Sequence, residues 1–397
     1  MGGALIQLIA YGEQNVHLTG SPNMTFFKKA SQRCTNFALE SIEQVIQGSV
    51  ETGQVNIEIS RNGDLVYGLW FEITLTKNGM SNFPAEQVLR NVELSIGGQR
   101  IDYVDSDWLA IRRELFLTAD QRDAYYEMNN FRPDDPDGME KKFYVKVPFF
   151  FNSGDISKAI PLVALQYHTV SLLINIKTKG IPGVTGVPKV RAFADYVFLD
   201  TRERELFTTV HHDYLIEQVQ IQTSSLSIDT AIKKHRVSLE FSHPVRYLVW
   251  AGITDTHGSY SASQQPFEAN DSYAPIAECR LMINGMERFQ EREGSYFRFV
   301  QPYSVIGKAP SAGVYMYSFG FNNTSGVNTG TLNFSRVDMT TFDFTTKAAT
   351  AATINNVFNS QTTTASALTA FTNIKFFAAN YNVLRIQSGM GGLRFSN

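Results

Sequence analysis

Histidine and acidic residues are the side chains of this sequence whose spacing could support metal chemistry. His211 and His212 form the only close histidine pair. Adjacent residues of a strand point to opposite faces, so these two rings are poorly placed to share one ion. The acidic run at 134–138 lacks the spaced ligands and the closing glutamate of a calcium-binding EF-hand loop. We therefore predict linker histidines, a solvated turn and no bound metal.

The glycine-rich and serine motifs that bind phosphate or activate a nucleophile are incomplete. Gly389 and Gly391 begin like a dinucleotide-binding fingerprint, but Arg394 stands where the third glycine is required. Gly307-Lys308 is not followed by Ser or Thr, as a phosphate-binding loop requires. No serine has the flanking glycines of a nucleophile elbow. The sequence predicts no catalytic residue, no cofactor and no enzyme activity.

Composition and charge restrict the class of protein further. The chain has 397 residues, of which 43% are apolar and 12% aromatic, as is typical of folded proteins. Its 35 Lys and Arg residues against 38 Asp and Glu give a net charge of −3, so no direct nucleic-acid partner is expected. No apolar run is long enough to cross a bilayer, and the start lacks a basic secretory region. We expect a soluble, β-rich protein of about two domains.

Alternation of apolar and polar residues predicts several strands. Val92, Leu94 and Ile96 alternate with polar residues and lead through Gly97-Gly98 into a second apolar run, which is typical of a β-hairpin. The same alternation, at 71–75, 143–147 and 170–176, predicts three further strands, of which we expect the first to be half-buried. The charged segment 108–128 has a helical pattern instead, and we interpret it as an insertion between strands.

The chain repeats itself with its order preserved. Three pairs of similar segments are offset by 180 to 187 residues, by subtraction of their first positions: 55–60 and 237–242, 67–70 and 247–250, 92–98 and 279–285. Three matches in register favour two similar β-domains joined near 200–213. Antiparallel sandwiches of the jelly-roll type suit that size.

Many segments, in order, resemble one protein family. They are 1–12 (MGGALIQLIAYG), 35–38 (TNFA), 161–168 (PLVALQYH), 243–250 (HPVRYLVW) and 388–393 (SGMGGL). Together they resemble the major capsid proteins of nucleocytoplasmic large DNA viruses, especially those of chloroviruses and other phycodnaviruses. The stretch 319–328 departs from close relatives because it lacks a proline-containing loop.

The resemblance implies an all-β double jelly roll, two eight-stranded antiparallel sandwiches in tandem, with short helical insertions. It implies a structural protein whose pseudo-hexagonal homotrimers tile an icosahedral outer shell, assembled in the host cytoplasm. Implied partners are neighbouring capsomers, minor capsid proteins and a pentameric vertex protein, with an internal membrane nearby. A capsid paralogue of lower abundance remains an alternative. A jelly-roll glycan-binding module would instead need paired carboxylates or an aromatic platform.

We predict a domain organisation of an N-terminal arm at 1–24, a first jelly roll at 25–205 and a second at 206–397. The apolar arm makes little sense as a solvated tail, so we expect it to pack under its own trimer, a neighbour or an underlying protein. Its candidate assembly residues are Leu5, Ile6, Leu8, Ile9 and Tyr11. The candidate glycosylation sites, all in Asn-x-Ser/Thr sequons, are Asn270, Asn322 and Asn323.

Overall fold

The structure is a computed structural model that describes most of the chain. The described residues are 3–28, 33–79, 83–181, 183–225, 234–253, 276–310, 313–321, 328–346, 353–355, 362–364 and 373–395. The three candidate glycosylation sites Asn270, Asn322 and Asn323 lie outside these residues.

The first half of the chain forms two antiparallel four-stranded sheets. Their strands are β1 (Phe37–Gln44), β2 (Gln54–Glu58), β3 (Leu65–Lys77), β4 (Leu89–Ile96), β5 (Gln99–Asp105), β6 (Glu140–Lys146), β7 (Val170–Ile176) and β8 (Val184–Leu199). The strand order is β1-β8-β3-β6 in one sheet and β2-β7-β4-β5 in the other. Two short strands extend these sheets: Ile46–Gln47 beside β2 and Ile160–Pro161 beside β3.

The second half repeats this arrangement. Its strands are β9 (His212–Ser225), β10 (Lys234–Ser238), β11 (Pro244–Ile253), β12 (Ile276–Ile283), β13 (Met286–Glu293), β14 (Val314–Ser318), β15 (Thr340–Thr346) and β16 (Asn373–Gln387). The sheets have the orders β9-β16-β11-β14 and β10-β15-β12-β13, so each strand takes the place of the strand numbered eight lower. The shorter strands are Leu332–Asn333 beside β11, Met390–Leu393 beside β16, and the pair Thr353–Asn355 and Thr362–Thr364. The predicted internal repeat is confirmed.

Seven α-helices occur in the described residues: α1 (Gly3–Ile9), α2 (Glu13–Thr19), α3 (Pro84–Val88), α4 (Ser106–Phe116), α5 (Ala119–Asn129), α6 (Thr201–Thr209) and α7 (Gln301–Ile306). The predicted helical insertion is confirmed as α4 and α5. Asp105 begins α4 by accepting the Trp108 N–H at 2.8 Å, and Thr118 begins α5 through a capping box with Gln121. None of the described helices is long and apolar enough to span a membrane.

The hairpin between β4 and β5 follows the sequence prediction. Gly97 and Gly98 have φ values of 58° and 81°, the left-handed region that glycine adopts without steric cost. A Cβ atom on Gly97 would lie 2.3 Å from the ring of His168. The equivalent turn between β12 and β13 uses Asn284 and Gly285 at φ 49° and 79°. Both halves therefore fix their hairpin register by the same left-handed turn.

The core contains the predicted alternating residues, but β3 is more buried than its sequence indicates. Glu72 is 6% exposed because Arg191 and Lys142 from the neighbouring strands lie across its carboxylate at 3.1 Å. Glu72 therefore departs from the prediction of a half-buried strand, whereas Thr74 and Thr76 on the same face are partly exposed as predicted. The second half has a core rich in aromatic rings, in which Trp250 lies 4.9 Å from Phe342 between ring centres.

The helix α6 links the two halves of the chain, since β8 ends just before it and β9 begins just after it. The predicted division between residues 205 and 206 falls inside this helix, which connects β8 to β9. Arg204 of α6 makes two hydrogen bonds, at 2.8 and 2.9 Å, to the Asp64 carboxylate in the first half. The domain boundaries stay a prediction.

Candidate functional site: seam and assembly surfaces

The strand β5 carries a row of polar contacts between the two sandwiches, which we call the seam. Gln99 accepts the Leu393 N–H at 3.0 Å, and Asp102 accepts the Val219 N–H at 3.3 Å. Three residues further on, Asp105 accepts a hydrogen bond from Lys375 at 2.9 Å. Every third residue of this one strand therefore bonds to a different strand of the second sandwich.

Lys375 is the centre of a buried ion cluster at one end of the seam. Its ammonium contacts both Asp105 and Asp107, whose side chains are 9% and 8% exposed. Burial alone would lower the pKa of Lys375, but the two carboxylates raise it above its ordinary value. The lysine therefore stays charged and joins the sandwiches through two charge-assisted hydrogen bonds.

Apolar contacts accompany this cluster. Trp108 of α4 stacks on Phe377 of β16 with ring centres 5.3 Å apart, and Phe116 lies 5.5 Å from Tyr247. Buried residues from both sandwiches belong to one continuous hydrophobic cluster. Burial of this kind is the largest favourable contribution to folding, so the two sandwiches are expected to be stable as one body.

Two histidines, His168 and the predicted linker residue His212, make structural contacts. The His168 ring nitrogen Nδ1 lies 2.9 Å from the Gly391 carbonyl oxygen, and His212 Nε2 lies 2.9 Å from that of Phe207. In the acidic turn, Asp137 accepts the Gly79 N–H at 2.9 Å. No group of three or more His, Cys, Asp or Glu side chains that could hold a metal ion occurs among the described residues.

A groove of 410 Å³ lies beside α6. Arg61 donates to the carbonyl oxygens of Gln166 and His168 at 3.0 and 3.1 Å, while Asp64 is occupied by Arg204. Asp64 is the one carboxylate among the lining residues described, and no aromatic ring is among them. The paired carboxylates or aromatic platform of a glycan-binding module are therefore not found in this groove.

Known proteins match this architecture over its whole length. Residues 25–200 match the family model "Major capsid protein N-terminus", and residues 203–392 match "Large eukaryotic DNA virus major capsid protein". The major capsid proteins of Paramecium bursaria Chlorella virus 1 and Pyramimonas orientalis virus are 40% and 34% identical, with 100% of each chain covered. The chain belongs to this capsid protein family. A quasi-atomic model of the PBCV-1 virus capsid matches with a TM-score of 0.84 and 38% identity, covering 94% of this chain and 100% of that one.

Family membership confirms the resemblance found in the sequence and the double jelly-roll fold. The homologues are structural capsid proteins, and this chain is a structural capsid component of a large DNA virus rather than an enzyme. Its functional features are therefore surfaces that contact other subunits, together with the seam that holds each subunit together.

The N-terminal arm presents the predicted assembly residues as an apolar surface. None of the side chains of α1 and α2 is buried. The five candidate residues are all more than half exposed: Leu5 51%, Ile6 60%, Leu8 76%, Ile9 71% and Tyr11 56%. Contiguous exposed apolar surface of this kind marks sites of interaction with other molecules. That these residues contact another subunit stays a prediction.

A second group of exposed apolar side chains lies on the edge strand β1 and at α6. The edge strand β1 pairs with β8, whose Val197 belongs to a small apolar cluster against which Phe207 of α6 packs. Periodicity alone did not reveal this surface, because its members come from separate segments. We call it the α6 patch, and its residues, each 51–55% exposed, are Phe37, Leu39, Leu206 and Val210.

The outer face of the β10-β15-β12-β13 sheet is stabilised by charges. Asp343 of β15 is 1% exposed and accepts two hydrogen bonds from Arg236, at 2.7 and 3.0 Å, and two from Arg280, at 3.1 and 2.8 Å. Hydrogen bonds from Arg236 lower the pKa of this carboxyl below 3.8, burial opposes them, and Arg280 lowers it further. Asp343 therefore joins three neighbouring strands while ionised.

We expect Asp343→Asn to lower the free energy of unfolding by about 1–2 kcal/mol at pH 7, since both guanidinium groups lose a charged acceptor. Because the folded-state pKa is depressed, this contribution is present above the ordinary pKa and is lost as the pH falls below it. Urea unfolding at pH 7 and at pH 3, which lies below the ordinary pKa, should show a smaller difference from wild type at pH 3. The control, Asp213→Asn, removes a more exposed pair with Arg385 and should cost less. An equal loss in both variants would contradict this account.

Proposed function

We propose that this capsid protein forms homotrimers of pseudo-hexagonal outline that tile the icosahedral outer shell of a large double-stranded DNA virus. The observation that carries the proposal is the repeated strand order, in which every strand has an equivalent eight positions later. Three chains with two similar sandwiches each supply six similar units, which suits a lattice of six-fold contacts. The full-length match to a protein of the PBCV-1 capsid supports this arrangement.

The capsomer would present two kinds of surface. The exposed arm and the α6 patch are suited to contacts with neighbouring capsomers and with minor capsid proteins beneath the shell. A pentameric vertex protein would close the lattice at its corners. In this proposal the chain is assembled in the host cytoplasm, near an internal viral membrane, and has no direct contact with the genome. Glycans at Asn270, Asn322 and Asn323 stay a prediction.

The solution mass of the purified chain tests the trimer directly. Size-exclusion chromatography with light scattering should give about 134 kDa, three times the chain mass of 44.5 kDa. Obligate interfaces of this kind bury more than about 2,000 Å², so the trimer should persist on dilution. A folded chain that stays at 44.5 kDa at high concentration would overturn the proposal of a self-sufficient trimer.

A further inference from the structure

The middle of the seam contains a buried carboxyl group that neither the fold nor the proposed assembly explains. Asp102 of β5 is 4% exposed, and one of its oxygens accepts the N–H groups of Tyr103 at 2.9 Å and of Val219 at 3.3 Å. These donors come from different sandwiches. The ladder between β4 and β5 shifts register between Leu94 and Ser95, and beside this shift the Ile101 carbonyl accepts the Gln218 side chain.

The charges around Asp102 do not favour its ionised form. From β9, Glu217 faces it, but this carboxylate is already engaged by Arg246 at 2.5 Å and by the Tyr247 hydroxyl at 3.1 Å, both from β11. On its own strand, Arg100 is 65% exposed and lies 4.0 Å from Glu93 of β4. Lys375 of β16, also at the seam, is engaged by Asp105 and Asp107.

We propose that Asp102 is a pH-sensitive switch in the seam, which holds the two jelly rolls together most firmly when its carboxyl is neutral. Burial raises its pKa to about 7, and Glu217 adds to this rise, while the two backbone N–H groups and Arg100 only partly oppose it. The switch concerns contacts within one chain, so it holds whether or not three chains assemble.

The sign of the pH dependence follows from the raised pKa. Between the ordinary pKa of an aspartate and about 7, the closed seam binds one proton more than an opened seam, so raising the pH through this window favours opening. With an open-state pKa near 4 and a closed-state pKa near 7, the equilibrium constant for opening rises about tenfold between pH 6 and pH 8. Most aspartates, being depressed in pKa, have the opposite effect.

Hydrogen exchange on the purified full-length protein measures this opening. The protection factors of peptides covering β5 and β9 should fall about tenfold between pH 6 and pH 8, after correction for intrinsic exchange rates. In Asp102→Asn, which keeps the size and the acceptor oxygen without the charge, this change should disappear. The two proteins differ only at this carboxyl group, so the difference between their pH responses isolates Asp102. Asp120→Asn, at an exposed position of α5, is the matched control and should behave like wild type.

Two results would overturn the switch: a wild-type seam with unchanged protection between pH 6 and pH 8, or the same pH response in Asp102→Asn as in wild type. If Asp102→Asn does not fold, Asp102→Ser supplies a smaller uncharged acceptor, and the same loss of pH response is expected. A trimer that is stable in light scattering but lacks the pH response would contradict the switch alone. A responsive seam in a monomeric protein would contradict the trimer alone.

Discussion

Lys375→Met should lower the free energy of unfolding by about 3–5 kcal/mol, because it leaves two carboxylates buried without their cation. The side chains of Asp105 and Asp107 are 9% and 8% exposed, and Lys375 is the ammonium that they share. Domains of ordinary stability unfold at a cost of 5–15 kcal/mol, so a loss of this size removes a large share of the total. Urea unfolding at pH 7, followed by tryptophan fluorescence, measures it through Trp108 at the seam.

Two further variants separate charge from packing. Lys234→Met removes an ion pair with Glu291 in which both partners are more than a third exposed, so its cost should be about 0–1 kcal/mol. Combining Lys375→Met with Asp105→Asn and Asp107→Asn should recover most of the lost stability, since no buried charge is then left unpaired. A loss below about 1 kcal/mol in Lys375→Met alone would show that the ion cluster contributes little to the seam.

Local patterns predicted the strands, the hairpin and the repeat because each depends on neighbouring residues. Alternation fixes which face of β4 is buried, and Gly97-Gly98 supplies the left-handed turn that the hairpin requires. The helical insertion was also recognisable from its period. Glu72 was misjudged because its burial depends on Arg191, a residue 119 positions away that covers it from β8.

The seam could not be predicted in the same way, because its partners are remote in sequence. Lys375 is 270 positions from Asp105, and the aspartates around Ser106 indicate only the start of a helix. One signal was present: Lys375 interrupts the apolar run Ile374 to Phe377, where a buried lysine requires an acidic partner. Which acidic residues pair with Lys375 can be identified only from the folded structure. The α6 patch was missed for the related reason that its residues come from β1 and α6.

Deleting residues 2–20 should abolish or strongly reduce shell formation while leaving folded trimers. The described residues of the deleted segment form only α1 and α2, neither of which has a buried residue, so the deletion removes no side chain from the core of the sandwiches. The deletion therefore removes exposed apolar side chains that could contact another subunit, and it leaves in place the buried side chains that stabilise the fold. Thermal unfolding and the mass of about 134 kDa, three times 44.5 kDa, should match those of the full chain.

A substitution variant distinguishes the chemistry of the arm from its length. Replacing Leu5, Ile6, Leu8 and Ile9 together by Ser keeps the arm but removes about 0.8 kcal/mol of burial free energy for each CH₂ group that a partner would cover. It should reduce the yield of shells, seen by sedimentation and electron microscopy in cells producing the virus, nearly as much as the deletion does. Gln7→Ser, in the same helix, is the polar control and should leave the yield unchanged. Normal shells from the deletion would refute a role of the arm in assembly, whereas loss of the trimer would place its contacts within the capsomer instead of between capsomers.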